Sequence, residues 1–192
     1  IAPLEDVVFQ KQLGTLADKT RRVETLSAHI ADQMGVSETE ARRAAELSKC
    51  DLMTSMVYEF PELQGIMGRY YAEHDKEPGD VAAAMDEQYM PRQAGDELPA
   101  TGVGRVLAIA DRMDTLMGIF AIGQKPTGTK DPFALRRAAL GVLRILIECK
   151  LDLDLRELFE MAAEGLRGQV EVNDAAIEET FEYCLERLKA YY

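Results

Sequence analysis

An aspartate in the middle of an apolar helical run constrains a fold strongly, and this sequence has two. The first lies in Ala41–Phe60, ARRAAELSKCDLMTSMVYEF, where the polar interruption Ser48-Lys49-Cys50-Asp51 breaks apolar surroundings. The second is Asp111 in RVLAIADRMDTL. A carboxylate inside such a face is costly unless it is paired, so each acid asks for a partner. Two helices that bring Asp51 and Asp111 together would make a metal site or the remains of one.

Around these runs the chain reads as helix after helix. Leu16, Val23, Leu26, Ile30 and Met34 fall on one face, and Gly35 ends that helix as a C′ glycine does. Ser37-Glu38-Thr39-Glu40 has the capping-box pattern and opens the helix that carries Asp51, which runs to Phe60-Pro61. Pro61 suits the first turn of the next helix, PELQGIMGRYYAEH, where Gly65 and Gly68 lower helix propensity but permit close approach of a neighbour. Lys76–Gly79 is a turn, Asp80 caps VAAAMDEQYM, and Pro91 halts it. A loop over Gln93–Gly104 leads to a helix over Arg105–Ile122. Gly123–Asp131 (GQKPTGTKD) is the clearest loop, and Asp131-Pro132 pairs an N-cap with an N1 proline to start PFALRRAALGVLRILIECK. Helices over Leu155–Leu166 and Asp174–Tyr192, the latter capped by Asn173 or Asp174, complete the chain. Residues 1–14 are a lead-in that suits strand or helix. No period of two persists, so the expected fold class is all-α.

An apolar fraction of 47% and a charged fraction of 29% are those of a globular chain able to bury a core. The apolar runs end well before the ~18 residues that would cross a membrane. The chain opens on Ile1 with no charged-then-apolar leader, which suggests an internal piece of a longer cytoplasmic protein. Cys50, Cys149 and Cys184 are too far apart for a zinc ribbon and odd in number, so buried reduced thiols are expected. The net charge of −12 argues against nucleic acid as a general partner. It is unevenly spread: Lys125–Lys150 holds six bases against two acids, whereas four bases face eleven acids from Leu151 onward. Lys125, Lys130, Arg136, Arg137 and Arg144 therefore mark one stretch that could meet phosphates. Loop lysines, a helix N-terminus with free N–H groups and arginines in the first turns all favour anions. The competing reading pairs Arg136 or Arg137 with Glu148, Asp111 or Asp114.

RAAELSKCDLM resembles the His-Asp helix of the HD-type metal phosphohydrolases, and AIADRMDTL resembles their later Asp helix. In that superfamily imidazoles and carboxylates hold a divalent ion that activates water. Here the dyad reads Cys50-Asp51, and the earlier histidine, expected near Val23–Glu24, is absent. His29 lies about one and a half turns further on, and His74-Asp75 falls at a helix end beside a turn. Cys50, Asp51 and Asp111 thus form a degenerate HD site, with no metal expected. No phosphate-cradling glycine loop and no nucleophile beside either histidine is evident.

A broader resemblance covers about Val7–Tyr192. LGTLADKTRRVETL, LSKCDLMTSMVYEFPELQGIMGRYYA, VAAAMDEQYMPR and LAIADRMDTLMGIFAIGQKPTGTKDPFALRRAALGVLRIL are similar to the beta subunit of the bacterial tetrameric glycyl-tRNA synthetase. The resemblance implies the central, HD-like part of a longer subunit, divided into the lead-in 1–14, an HD-like domain 15–124 and a basic loop with C-terminal helices 125–192. It also implies glycine tRNA, the alpha subunit and the other beta-subunit domains as partners, with no DNA or membrane. ATP and magnesium would act at the alpha-subunit catalytic centre, leaving this stretch without cofactor or catalytic residue. The phosphohydrolase and a purely structural scaffold are the rival readings.

Overall fold

The computed structural model describes residues 2–192 and is an all-α helical bundle with one very short hairpin. Its axis is the helix that sequence made most apolar, here α6 (Gly102–Ala121). Fifteen of its twenty residues are buried, as a helix apolar all round requires. Six helices pack on it: α1 (Leu16–Met34), α2 (Glu38–Leu47), α5 (Gly79–Glu87), α7 (Leu135–Glu148), α8 (Leu155–Leu166) and α9 (Asp174–Tyr191). Two smaller helices, α3 (Ser55–Glu59) and α4 (Ile66–His74), lie outside that ring, α4 against α5. Buried side chains from Leu13 to Cys184 form one contiguous core.

The lead-in adopts a 3₁₀ turn over Ala2–Asp6 and the hairpin β1 (Val8–Gln10) and β2 (Gly14–Thr15). It is tied to the bundle through Leu13, whose side chain meets α6 where Gly118 leaves room; a Cβ there would stand 2.9 Å from Leu13 Cδ1. Thr15 and Asp18 close a capping box at α1, and Gly35 ends α1 at φ 67° as predicted.

The run Ala41–Phe60 is not one helix. α2 stops at Leu47, a 3₁₀ turn covers Cys50–Met53, and α3 follows. Ser48 turns its hydroxyl back to the Ala45 carbonyl at 2.7 Å, and serine used this way competes with helix continuation. Pro61 opens a separate 3₁₀ turn, Pro61–Leu63, and Gly65 stands before α4 at φ 86° instead of inside the helix. Asp80 lies within the first turn of α5, which begins after Pro78. α7 begins three residues later than Asp131-Pro132 suggests, because Ala134 adopts a left-handed conformation (φ 53°, ψ 42°). Asp131 still caps it from a distance, accepting from Leu135 N at 2.8 Å and Arg136 N at 3.1 Å.

Candidate functional site

Asp51 and Asp111 do not share a site. Asp51, 4% exposed, turns towards α4: its Oδ2 accepts from Gly65 N at 2.7 Å and Gly68 N at 3.2 Å. A Cβ on Gly68 would lie 3.1 Å from that oxygen. The two glycines therefore admit the carboxylate to the positive end of a helix, where an anion is stabilised. Asp51 and Cys50 border a cleft of about 280 Å³ with Tyr71 and Glu77. Burial, chiefly, raises the Cys50 thiol above its ordinary pKa, the opposite of what a metal ligand or nucleophile needs.

Asp111 lines a different and larger cleft, and its partners are lysines. Lys49 Nζ lies 3.4 Å from Asp111 Oδ1 and Lys19 Nζ 3.6 Å from it. Burial would raise the Asp111 pKa, but Lys49, Lys19 and Arg112 outweigh it and hold the carboxyl at about 2. Burial likewise pulls Lys49 down, and Asp111 with Tyr89 more than offsets it, leaving Lys49 above its ordinary value. Lys49 also donates to Gln88 Oε1 at 2.9 Å and to the Tyr89 hydroxyl at 3.3 Å. Lys19 bridges to Asp114 at 3.0 Å, and Arg22 holds the other side of Asp114 at 2.7 Å. The buried centre is thus Asp111 and Asp114 against Lys19, Arg22 and Lys49.

Lys49, beside Asp51 in the polar interruption, was foreseeable as a partner; Lys19 and Arg22 are additions, and Asp114, considered as a partner of Arg136 or Arg137, pairs with these two additions instead. Lys19 could have been found, because it occupies a slot of the apolar stripe between Leu16 and Val23. Asp114 sits the same way between Ala110 and Met117 on α6. The α1 residue that faces Asp111 is therefore Lys19, not the neighbourhood of Val23–Glu24. His29 and His74 are exposed. A divalent ion does not fit this donor set: two ammonium groups already face the carboxylate, and no histidine lines the cleft. Among the described residues no three His, Cys, Asp or Glu side chains converge as a ligand group.

The cleft over Asp111 has a volume of about 560 Å³ and lies between α6, the start of α7 and the segments around residues 61–64 and 88–92. Three guanidiniums border it. Arg112 is buried and donates to four carbonyls, those of Gln88 (3.0 Å), Ala108 (3.2 Å), Tyr89 (3.2 Å) and Pro91 (3.1 Å). It pins the turn after α5 to α6. Gly141 of α7 makes way for it, since a Cβ there would stand 2.8 Å from Arg112 Nε. Arg92 pairs with Asp86, and Arg137 is exposed. Burial lowers the Arg112 pKa to about 10; Asp111 opposes the shift, and Arg92 and Arg137 add to it.

The other predicted phosphate contacts separate into engaged and open groups. Arg144 is 9% exposed and spent internally, on Glu148 at 2.7 Å and the Asp96 carbonyl at 3.2 Å, which removes it from the contact surface. Arg136, half-buried, donates to the Gly128 carbonyl at 2.6 Å and pairs with none of the acids considered for it. Lys125 is exposed and paired with Glu179 on α9. Lys130 and Arg137 are exposed and make no ion pair among the described residues. The α7 N-terminus is not open to an anion, because the Asp131 carboxylate already takes its N–H groups.

Among the described residues no helix is long and apolar enough to cross a membrane. All of residues 1–192 match a family model described as glycyl-tRNA synthetase beta subunit. The glycine–tRNA ligase beta subunit of Chromohalobacter salexigens is 58% identical over 188 residues, and that of Photorhabdus laumondii 58% over 189. The corresponding subunit of Glaesserella parasuis is 56% identical over 189 residues. Each comparison covers 98% of this chain and 27% of the relative, so the chain spans about a quarter of the length of the proteins it matches. The chain belongs to the glycyl-tRNA synthetase beta subunit family.

Proposed function

We propose that this stretch is a non-catalytic helical module that supports and positions glycine tRNA for glycyl-tRNA formation by an alpha/beta synthetase in the cytoplasm. ATP, magnesium and the chemistry of aminoacylation would belong to the alpha subunit. The observation that carries the reading is the charge around the Asp111 cleft. Among the residues that line it, three cations (Arg92, Arg112, Arg137) meet two carboxylates (Glu62, Asp111), an excess of one positive charge in a chain of net charge −12. Lys130 and Arg136 lie on the adjoining loop and the first turn of α7. A local positive region on an acidic protein draws a polyanion to one place and repels it elsewhere.

The test uses the intact enzyme with Lys130, Arg136 and Arg137 replaced by alanine together. Binding of tRNA should weaken about tenfold at low salt, and the slope of log affinity against log salt should fall by about two to three. Glycine activation, measured as ATP–pyrophosphate exchange, should not change. Unaltered tRNA affinity in a folded variant would remove the contact surface.

A second role is favoured by a separate observation. Most exposed large apolar side chains lie between residues 53 and 71, including Met56, Tyr58 (85% exposed), Phe60, Tyr70 (60%) and Tyr71. Such a gathering marks a protein interface, and we assign it to docking against the alpha subunit or the remainder of the beta subunit. The double variant Tyr58→Ser/Tyr70→Ser should lower the yield of assembled enzyme; unchanged assembly would sink this assignment.

A further inference from the structure

The fold uses Arg112 to pin a turn and pairs Arg92 with Asp86, but it does not account for the positive charge that these two and Arg137 gather at the Asp111 cleft. Arg112 has its terminal N–H groups satisfied by four carbonyls, which neutralise no charge, and among the described residues it makes no ion pair, Asp111 acting on it only from beyond salt-bridge distance. Arg137, exposed, likewise has no carboxylate partner and no side-chain hydrogen bond among the described residues. Arg92 shares Asp86 and lies over the Tyr89 ring, 5.9 Å from its centroid. Like charges crowded beside one cleft repel one another unless an anion joins them. Of the two carboxylates lining the cleft, Asp111 is neutralised from beneath by Lys19 and Lys49, and Glu62 is exposed. An incoming anion therefore meets Asp111 already paired, and Glu62, exposed at the cleft edge, is the carboxylate it must pass.

The strain at the rim is consistent with a binding edge. Ala134, which lines the cleft three residues before Arg137, holds a left-handed conformation that non-glycine residues seldom adopt. That turn sets where α7 begins, and with it where Arg137 projects.

We propose that this cleft is a phosphate-binding site. Arg137 supplies the guanidinium fork, Arg92 swings between Asp86 and the ligand, and the fixed charge of Arg112 deepens the potential behind them. The planar fork of arginine matches the oxygens of phosphate in a way that a lysine surface does not. A cleft of about 560 Å³ is large enough for one nucleotide. The site deepens the tRNA reading given above and takes from it only the source of the phosphate, which is the backbone of bound tRNA. A free mononucleotide carries the same group.

The experiment resolves the cleft from the rest of the enzyme. Intact alpha/beta enzyme is treated with phenylglyoxal, and modification of the Arg137 peptide is followed by mass spectrometry alone, with tRNA, with AMP and with inorganic phosphate. Arg137 should react readily in the free enzyme and at least threefold more slowly with tRNA. In parallel, Arg137→Gln should weaken tRNA binding about three- to tenfold and lower the salt slope by about one, with Arg137→Lys intermediate in affinity. Protection by AMP or phosphate, but not by tRNA, supports the phosphate site and assigns it to a free nucleotide, overturning the tRNA source. Absence of protection by all three probes, with tRNA affinity unchanged in Arg137→Gln, overturns the site. If Lys130→Ala still weakens tRNA binding in that event, the tRNA-supporting role stands without this cleft.

Discussion

Replacing Asp111 with asparagine keeps its shape and removes its charge, and the cost can be worked from two directions. Lys49 and Lys19 hold the carboxyl at about 2, against 3.8 for an unperturbed aspartate. At about 1.4 kcal/mol per pKa unit, this makes the ionised form worth about 2.5 kcal/mol more in the folded chain. Removing one member of a buried pair costs about 3–5 kcal/mol when the other is left alone. Here Lys19 retains Asp114 at 3.0 Å, while Lys49, 7% exposed, loses its one carboxylate. The Asp111 side chain itself keeps 18% exposure, so the lower figure is the better guide. Asp111→Asn should thus lose about 2–3 kcal/mol by urea denaturation at pH 7, or roughly 4–12 °C in melting temperature for a chain of this size. The pH dependence has a fixed sign. A carboxyl with a depressed folded pKa stabilises above its unfolded value and loses that contribution as pH falls through the folded one. The gap between wild type and Asp111→Asn should therefore be constant from pH 7 to about 5, and close between about 4 and 2. The double variant Lys49→Met/Asp111→Asn should recover part of the loss, because an uncharged pair carries no desolvation penalty. An Asp111→Asn protein as stable as wild type, or a gap that does not close in acid, would refute the ion-pair account.

Asp51→Ala should cost about 1–3 kcal/mol in denaturant, since it leaves Gly65 N and Gly68 N without an acceptor at the start of α4; hydrogen exchange should quicken across Ile66–His74 first. Gly141→Ala places a methyl group 2.8 Å from Arg112 Nε and should destabilise by about 1–3 kcal/mol, with faster proteolysis in the turn at residues 88–92 that Arg112 holds. Cys184 is fully buried, which raises its thiol pKa to about 12; it should resist a thiol reagent in the native protein at pH 8 and react on unfolding.

What the sequence made legible was local. The apolar period of α1, the glycine that ends it and the apolarity of α6 each depend on residues within a turn or two of one another; α1 fell where expected, and α6 was found but begins at Gly102, three residues before the expected Arg105, because Thr101 caps it. The run at Ala41–Phe60 did not, because Ser48 diverts its hydroxyl to the preceding carbonyl and the chain needs a 3₁₀ turn to aim Asp51 at α4. The start of α7 was misplaced for a similar reason: Asp131 caps across an intervening turn that rests on a left-handed Ala134, which no preference of alanine announces. At the site, the oddity of two buried acids was visible, but their partners were a matter of direction. Asp51 finds its partner about fourteen residues away, in the backbone of Gly65. Asp111 finds cations on α1 and just after α2. Lys19 and Asp114, each set in an apolar stripe, carried a signal of their own.

The same pairing explains why the centre can be buried and its outer side still attract an anion. In a metal site of the kind the sequence led one to expect, positive charge would arrive as an ion surrounded by histidines and carboxylates. Here it arrives on Lys19 and Lys49, tethered to the backbone, with Asp111 and Asp114 between them and Arg22. Three cations against two acids already leave one positive charge inside. Arg112 adds another just above, with its N–H groups bonded to carbonyls that cannot neutralise it. The charge that stabilises the floor therefore also sets the sign of the cleft above it. A substitution that removes Lys49 should weaken anion binding at Arg137 without touching the ligand, by uncovering Asp111. Restoration of that binding in Lys49→Met/Asp111→Asn, where neither charge remains, would distinguish this electrostatic coupling from simple damage to the fold.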